Sequence, residues 1–414
     1  MEFELDCVSP AGAHFVELAD KHAAEFALTA GRHDRDNSFP FDSWAAMRRS
    51  GFLSAAVPKD LGGLGVTAVA DLLAGINRLA RGDAAVAIGA AMHTTAFWYV
   101  ARLLGATARP GDASLVDRMR LLLRACARGR VIACVGISER GTSLGWPRTT
   151  ATPDGDRYGI DGTKVFCTNS PAATLFLISV RIHTGDGADR LGFALVPRDT
   201  AGLTVLQNWD ALGMRASGSG DVVFGGCLLP STMVMAAGPL GVLSATLLPL
   251  TMVGALVLAG AFLGIAEQAQ EAATDAARRR PGGAERPAPA DRGSVQALVG
   301  ENEIELAASR AVLGRTAGLL DERVTAAGDG LAPAELHGLM KEVQCASVAT
   351  RRAAVATVDR AMTISGGAGY LTSHPLSRLY RDVRAGPFMQ PFSALDAYEY
   401  IGKVRLGVDP DSKG

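Results

Sequence analysis

The chain has 414 residues, a formal net charge of -1, and 48% hydrophobic against 20% charged residues. That balance excludes a disordered chain, and the near-zero charge excludes a surface drawn as a whole to nucleic acid or anionic lipid. Six cysteines (Cys7, Cys126, Cys134, Cys167, Cys227, Cys345) lack CxxC spacing, which argues against a disulfide framework or a metal site and for a cytoplasmic setting.

The opening MEFELDCVSP has no apolar run of the kind a signal peptide carries. Residues 13 to about 130 read as helices. His14 to Ala30 is amphipathic, Asp42 is placed to cap a helix that runs through Trp44 and Met47 to Gly51, and Val57 to Gly65 is a turn cluster. Apolar helical stretches follow at Asp71–Arg81 and Asp83–Leu104. From Val131 the pattern changes to short apolar runs separated by Gly, Asp and Pro, ending at Gly220–Phe224, which predicts an all-β unit. Asp161-Gly162 lies between two such runs and predicts a tight hairpin.

Beyond Pro239 the chain reads as helical again: Leu247–Arg280, Ser294–Ala327, Pro333–Gly366 and Pro391–Leu406, with a loop at Pro281–Pro289. Gly238 to Ala266 carries no charge, and about 20 apolar residues can cross a bilayer. Pro249 and several glycines interrupt it, so it is read as a buried core helix and no membrane partner is expected. The expected layout is α+β: an N-terminal helical domain (1–130), a middle β-barrel or sandwich domain (131–236) and a C-terminal four-helix bundle (237–414).

Two clusters carry chemistry. Ile137-Ser138-Glu139-Arg140-Gly141-Thr142-Ser143 precedes Gly162-Thr163-Lys164-Val165-Phe166-Cys167-Thr168-Asn169. Two strand ends of this kind bring backbone N–H groups and small hydroxyls to one rim. Such a rim can bind a flat heteroaromatic carbonyl system, with Phe166 over its face. Taken alone, a phenylalanine at such a position is more often core.

With Leu212-Gly213-Met214-Arg215, the turn Pro58–Gly65, Ser365-Gly366-Gly367-Ala368-Gly369-Tyr370 and Arg381-Asp382, these runs resemble the acyl-CoA dehydrogenase family, collinearly over nearly the whole chain. The resemblance implies FAD, a homodimer or homotetramer, an acyl thioester or related small-molecule substrate, and an electron-transfer flavoprotein as redox partner. It places Ile137 and Ser138 at the flavin pyrimidine edge, with Ser143 in the loop beside them. Phe166 lies over the isoalloxazine and Thr168 near N5. Gly366 and Gly367 approach the dinucleotide of a neighbouring subunit.

The chain departs from the family where the reaction needs a base. Most members carry a glutamate nine residues after the Arg of Arg-Asp, and here that position is Gln390, which cannot take a proton at useful pH. Isovaleryl- and long-chain-type members carry it in a helix, where this chain has Gly254. The phosphate contacts differ as well: Leu144 and Gly145 replace the usual Ser and Asp, Thr363 replaces a Gln, and Arg280 is the remaining candidate to pair a pyrophosphate.

Two catalytic readings follow, beside a third in which the chain is a non-catalytic flavin-binding homologue. One is α,β-dehydrogenation with an altered substrate from specialised metabolism, Gln390 orienting a carbonyl. The other is a two-component monooxygenase of the same fold, using FMN or diffusible reduced flavin from a flavin reductase. Arg381, Arg384 and Pro391 reproduce a spacing found in such monooxygenases, and His93 lies on the helix where they hold an active-site histidine.

Overall fold

The computed structural model describes residues 4–106, 113–185, 187–282, 287–325, 331–389 and 391–411. Five helices come first: α1 (Pro10–Asp36), α2 (Phe41–Ser50), α3 (Val69–Gly82), α4 (Ala84–Ala106) and α5 (Ala113–Ala127). The Ser9 hydroxyl accepts from the Gly12 N–H to start α1, and Asn37 ends it in the left-handed region. Asp42 lies inside the first turn of α2, where it opposes the helix dipole; Pro40 holds the cap position without a side-chain hydrogen bond. Asp83 separates α3 from α4 and accepts from the N–H groups of Ala85 and Val86.

Eight strands follow: β1 (Ala133–Gly136), β2 (Thr150–Asp154), β3 (Arg157–Lys164), β4 (Leu175–Ile182), β5 (Arg190–Pro197), β6 (Leu203–Val205), β7 (Val222–Pro230) and β8 (Val234–Pro239). They form one sheet in the order β6-β7-β3-β2-β4-β5-β8, and β1 runs parallel to β4 off that path. The hairpin expected at Asp161-Gly162 does not form there. Both residues lie inside β3, where the register against β7 shifts between Ile160 and Gly162. The Asp161 carboxylate accepts from the Gly226 N–H across that irregularity, at 2.7 Å. Gly162 has φ +149, and a Cβ there would lie 2.5 Å from the Thr149 hydroxyl. The glycine therefore serves a bulge rather than a turn. The turn is at Gly155, between β2 and β3.

The C-terminal part holds α6 (Leu248–Arg279), α7 (Gly293–Leu320), a π turn at Asp321–Thr325, α8 (Pro333–Ser365), α9 (Pro375–Val383) and α10 (Ala394–Leu406). The nine-residue α9 has no counterpart in the sequence reading, because its pattern is too short to register as periodic. Helix α6 packs against α3, α4, α7, α8 and α9. Both α4 and α6 are long and apolar enough to cross a membrane. Their most apolar windows are 83% and 94% buried inside the fold. One apolar cluster therefore joins the two helical parts through α6, with Phe15, Leu73, Leu256 and Phe262 in it. A second, with Cys134, Ile160, Phe176 and Phe224, fills the sheet. The chain is thus helical at both ends around a central sheet, the three-part architecture expected.

Candidate active site

The rim begins with a buried ion pair. Lys164 alternates inward at the end of β3 and is fully buried. Its Nζ donates to Glu139 Oε1 at 2.5 Å and to Ser179 Oγ at 2.9 Å. The Glu139 carboxylate also accepts from the N–H groups of Arg148 at 2.5 Å and Thr149 at 3.0 Å. Burial works against its charge, but Lys164 and the Thr149 amide outweigh it and hold the carboxyl below its ordinary value. Ser138 and Val165 are joined by backbone at 2.9 Å. The pair thus ties the Ser138–Thr149 loop to the strand that leads to Phe166.

After β3 the chain changes hand. Phe166 has φ +54 and Asn169 φ +70. Val165 and Cys167 turn inward, while the Phe166 ring is 64% exposed and stands edge-on to Trp209 at 6.0 Å. Thr168 Oγ1 lies 3.0 Å from Ser219 Oγ, which lies 2.7 Å from Ser217 Oγ. The Asn169 side chain donates to the Gly89 carbonyl of α4 at 2.9 Å. Beside the rim is a cavity of about 400 Å³, lined by Ile137, Ser138 and Ser143 on one side and by Phe388, Phe392 and Tyr400 on the other. A strained backbone that keeps a large aromatic face in solvent fits a flat ring system such as flavin, though Phe166 itself does not line that cavity.

Arg280, Gly366, Gly367 and Thr363 gather elsewhere, and none of them lines that cavity. Arg280 donates to the Ser365 carbonyl at 3.2 Å. Gly366 has φ +62, and Gly367 has nothing within 4 Å of where a Cβ would be. Thr363 is exposed and bonds the Asp359 carbonyl within its own helix. A cation beside two open glycines is suited to a phosphate.

His93 is fully buried. Its Nδ1 accepts from the Ala133 N–H at 3.0 Å and its Nε2 lies 2.9 Å from the Leu53 carbonyl, so Nε2 carries the proton. Burial pushes its pKa down to about 4. The ring fastens α4 to β1, and neither nitrogen is left to meet a substrate.

Gln390 lies outside the described residues. The other base position, Gly254, is described. Every residue from Leu248 to Glu267 is buried except Gly254. The nearest atom to a Cβ placed there is Thr95 Cγ2, at 3.7 Å. The buried Thr95 hydroxyl has no hydrogen-bond partner among the described residues. Space and an unsatisfied hydroxyl thus stand where a carboxylate base would be.

Sequence reasoning missed the partners of two motifs. The Met214 N–H donates to Asp382 Oδ1 at 2.6 Å, and Arg381 donates to the Leu212 carbonyl at 3.2 Å. A Cβ on Gly213 would lie 2.2 Å from the Arg381 carbonyl oxygen. The Leu-Gly-Met-Arg and Arg-Asp motifs are therefore two halves of one joint, 168 residues apart between Met214 and Asp382.

Comparison with known proteins follows the same order along the chain. Family models for the acyl-CoA dehydrogenase N-terminal, middle and C-terminal domains match residues 13–108, 134–227 and 256–390. The amino sugar nitrososynthase DnmZ of Streptomyces peucetius is 34% identical, over 96% of this chain and 94% of its own. The structure of KijD3 in complex with FMN and dTDP-3-amino-2,3,6-trideoxy-4-keto-3-methyl-D-glucose has a TM-score of 0.89 and 34% identity, covering 98% of this chain and 96% of that one. FMN-bound TdsC from Paenibacillus sp. A11-2 has a TM-score of 0.84 and 25% identity, covering 96% and 99%. With all three domains matched in order and relatives aligned nearly end to end, the chain belongs to the acyl-CoA dehydrogenase family, as an oxidising enzyme of its flavin-dependent fold.

Proposed function

We propose that the protein is a flavin-dependent monooxygenase that adds one oxygen atom to the primary amine of a nucleotide-linked amino sugar. The observation that carries this reading is the uncharged position at Gly254, where a Cβ would meet only Thr95. With glutamine at residue 390, neither place where the family holds its base has a carboxylate. Taking an α-proton from an acyl thioester needs that base, whereas oxygenating an amine needs only the nitrogen lone pair. The likeness to DnmZ and to KijD3 with its bound amino sugar supports the substrate class, and the FMN in KijD3 and TdsC supports FMN over FAD.

Reduced flavin supplies the two electrons and delivers one oxygen atom of O2, so that R–NH2, O2 and reduced flavin give R–NHOH, water and oxidised flavin. The chain's own part is to hold and shield. Ile137 and Ser138 would border the ring edge, Phe166 would cover its face, and the Thr168–Ser219–Ser217 hydroxyl row would lie beside it. Arg280 with Gly366 and Gly367 would meet the phosphate of a flavin held by a neighbouring copy, which makes a homo-oligomer part of the proposal.

The test is to supply FMN and a separate flavin reductase, with a dTDP-3-amino sugar under ¹⁸O2. One labelled oxygen is expected in the product. An unlabelled amine recovered with all O2 converted to peroxide would overturn the reading. Anaerobic addition of acyl-CoA thioesters of any chain length is expected to leave oxidised flavin unbleached. Gly254→Val is expected to fold normally and to lose amine turnover at least tenfold, because its side chain fills the space beside Thr95.

A further inference from the structure

Arg351, on α8, is 5% exposed. Its Nη1 and Nη2 lie 3.5 Å from the carbonyl oxygens of Met389 and Ala255, which are long contacts, and its Nε has no partner. The guanidinium is 5.9 Å from the centre of the Phe262 ring. A Cβ on Gly386 would touch its Cβ and Cγ at 3.5 Å. No carboxylate among the described residues pairs with it, and burial alone pulls its pKa down to about 10. A buried, unpaired charge is destabilising, so its retention calls for a use.

Its position suggests one. Ala255 follows Gly254, and Met389 precedes Gln390. The guanidinium thus touches the backbone beside both places where relatives of this fold carry a carboxylate. Where dehydrogenases hold a negative charge, this chain has glycine, glutamine and a buried cation.

Among the described residues, the carboxylates of the surrounding elements are held by other partners. Helix α6 has no charged residue from Leu248 to Ala266. On α4, His93 is uncharged and fully bonded, and the Tyr99 hydroxyl is held by the Thr246 carbonyl. On α9, Asp382 is engaged by Arg378 and the Met214 N–H. On α10, Asp396 and Glu399 line the cavity beside the rim, where Asp396 accepts from the Ser393 hydroxyl at 2.6 Å and Glu399 pairs with Lys403 at 2.7 Å. On the α7 side, Glu267 is taken by Arg81 and Arg310. Arg352 and Arg384 are exposed and add only positive charge.

We propose that Arg351 is a positioning residue whose fixed positive charge keeps the substrate's amino group unprotonated at the point of oxygen transfer. This rests on the amine-oxygenase reading above. As R–NH3⁺ enters, its N–H bond breaks to give R–NH2, and the proton leaves to solvent buffer. The freed lone pair is the one that takes oxygen. A like charge nearby disfavours the ammonium by about one pKa unit or more. The same logic activates buried lysines set beside a second cation.

The test counts protons. A dTDP-3-amino sugar is titrated calorimetrically into flavin-free protein at pH 7, in two buffers of different ionisation enthalpy. Wild type is expected to release a fraction of a proton per amine bound, about half for a one-unit shift centred on the working pH, and the corresponding hydroxy sugar none. Arg351→Met is expected to release less than half as much, and Arg351→Lys to restore the release. In turnover, the acid limb of kcat, which follows the bound amine, is expected about one unit or more below the pKa of the free amine in wild type. It should return to that pKa in Arg351→Met.

A wild type that binds the amine without releasing protons overturns the proposal, and this count decides the matter even if the methionine variant does not fold. An Arg351→Met protein with wild-type release and an unmoved acid limb also overturns it. If such a protein still inserts labelled oxygen, the amine-oxygenase reading survives and only the role of Arg351 falls. An amine that neither binds nor gains oxygen removes both.

Discussion

Phe166 holds a left-handed backbone conformation that costs a bulky residue about 1 kcal/mol or more, and it leaves most of its ring in solvent. A glycine there relieves the strain but loses more entropy on folding. Phe166→Gly should therefore leave flavin-free stability within about 1 kcal/mol, while weakening FMN binding at least tenfold by fluorescence titration. Two other residues set the acid response. His93 has a folded pKa of about 4 against 6.5 when unfolded, so its stabilisation is present above pH 6.5 and is lost as the pH falls toward 4. Asp382 runs the other way. Burial raises its carboxyl to about 6, so it gains stability as the pH falls from 6 toward 4. In wild type these slopes oppose one another. Asp382→Asn keeps an acceptor for the Met214 N–H, and its Tm should fall more steeply than that of wild type between pH 6.5 and 4. Parallel Tm profiles would show that the Asp382 shift is absent. The motif around Phe166 is local and legible, whereas the partners of His93 are not, because Ala133 and Leu53 are each 40 residues away.

At the scale of elements, the rim depends on where β3 ends. The buried Lys164–Glu139 pair fixes the loop from Ser138 to Thr149 against that strand. Lys164→Met should cost about 3–5 kcal/mol, because it strands a buried carboxylate. Adding Glu139→Gln should recover most of the loss, as seen in urea midpoints. If the double variant were no better than the single one, the pair would not be coupled. The sequence pattern is clear for α6, whose long uncharged run has one interpretation once Pro249 marks its start. It misleads at Asp161-Gly162, a pair that ordinarily signals a hairpin. Here the strand is pulled straight by pairing with β7, and the Asp161 carboxylate finds Gly226 instead of its own turn.

At the scale of the whole molecule, the Leu212–Arg215 segment of the sheet unit docks on Arg381-Asp382 of the C-terminal part. Arg381 also pairs with Asp34 of α1, at 2.5 Å. All three parts of the chain meet at this joint. Gly213→Ala would drive a Cβ against the Arg381 carbonyl and should cost about 1–3 kcal/mol. It should also loosen flavin binding, since the joint sets the sheet against α9. An unchanged denaturation midpoint with unchanged flavin affinity would show that the joint yields without consequence.

The sequence by itself determined the order of helical, sheet and helical parts, the rim from Ile137 to Thr168, and the loss of a base at residues 254 and 390. These are written in local patterning and in motifs whose residues lie close together in the chain. Tertiary structure alone decided that both His93 nitrogens are bonded within the fold, that Asp161-Gly162 is a bulge, that Gly254 has room for a Cβ beside Thr95, and that Arg351 is a buried cation with no carboxylate partner among the described residues. Each of these depends on what packs against the residue from a distant segment, and burial and electrostatic pairing leave no periodic trace in the residues beside it.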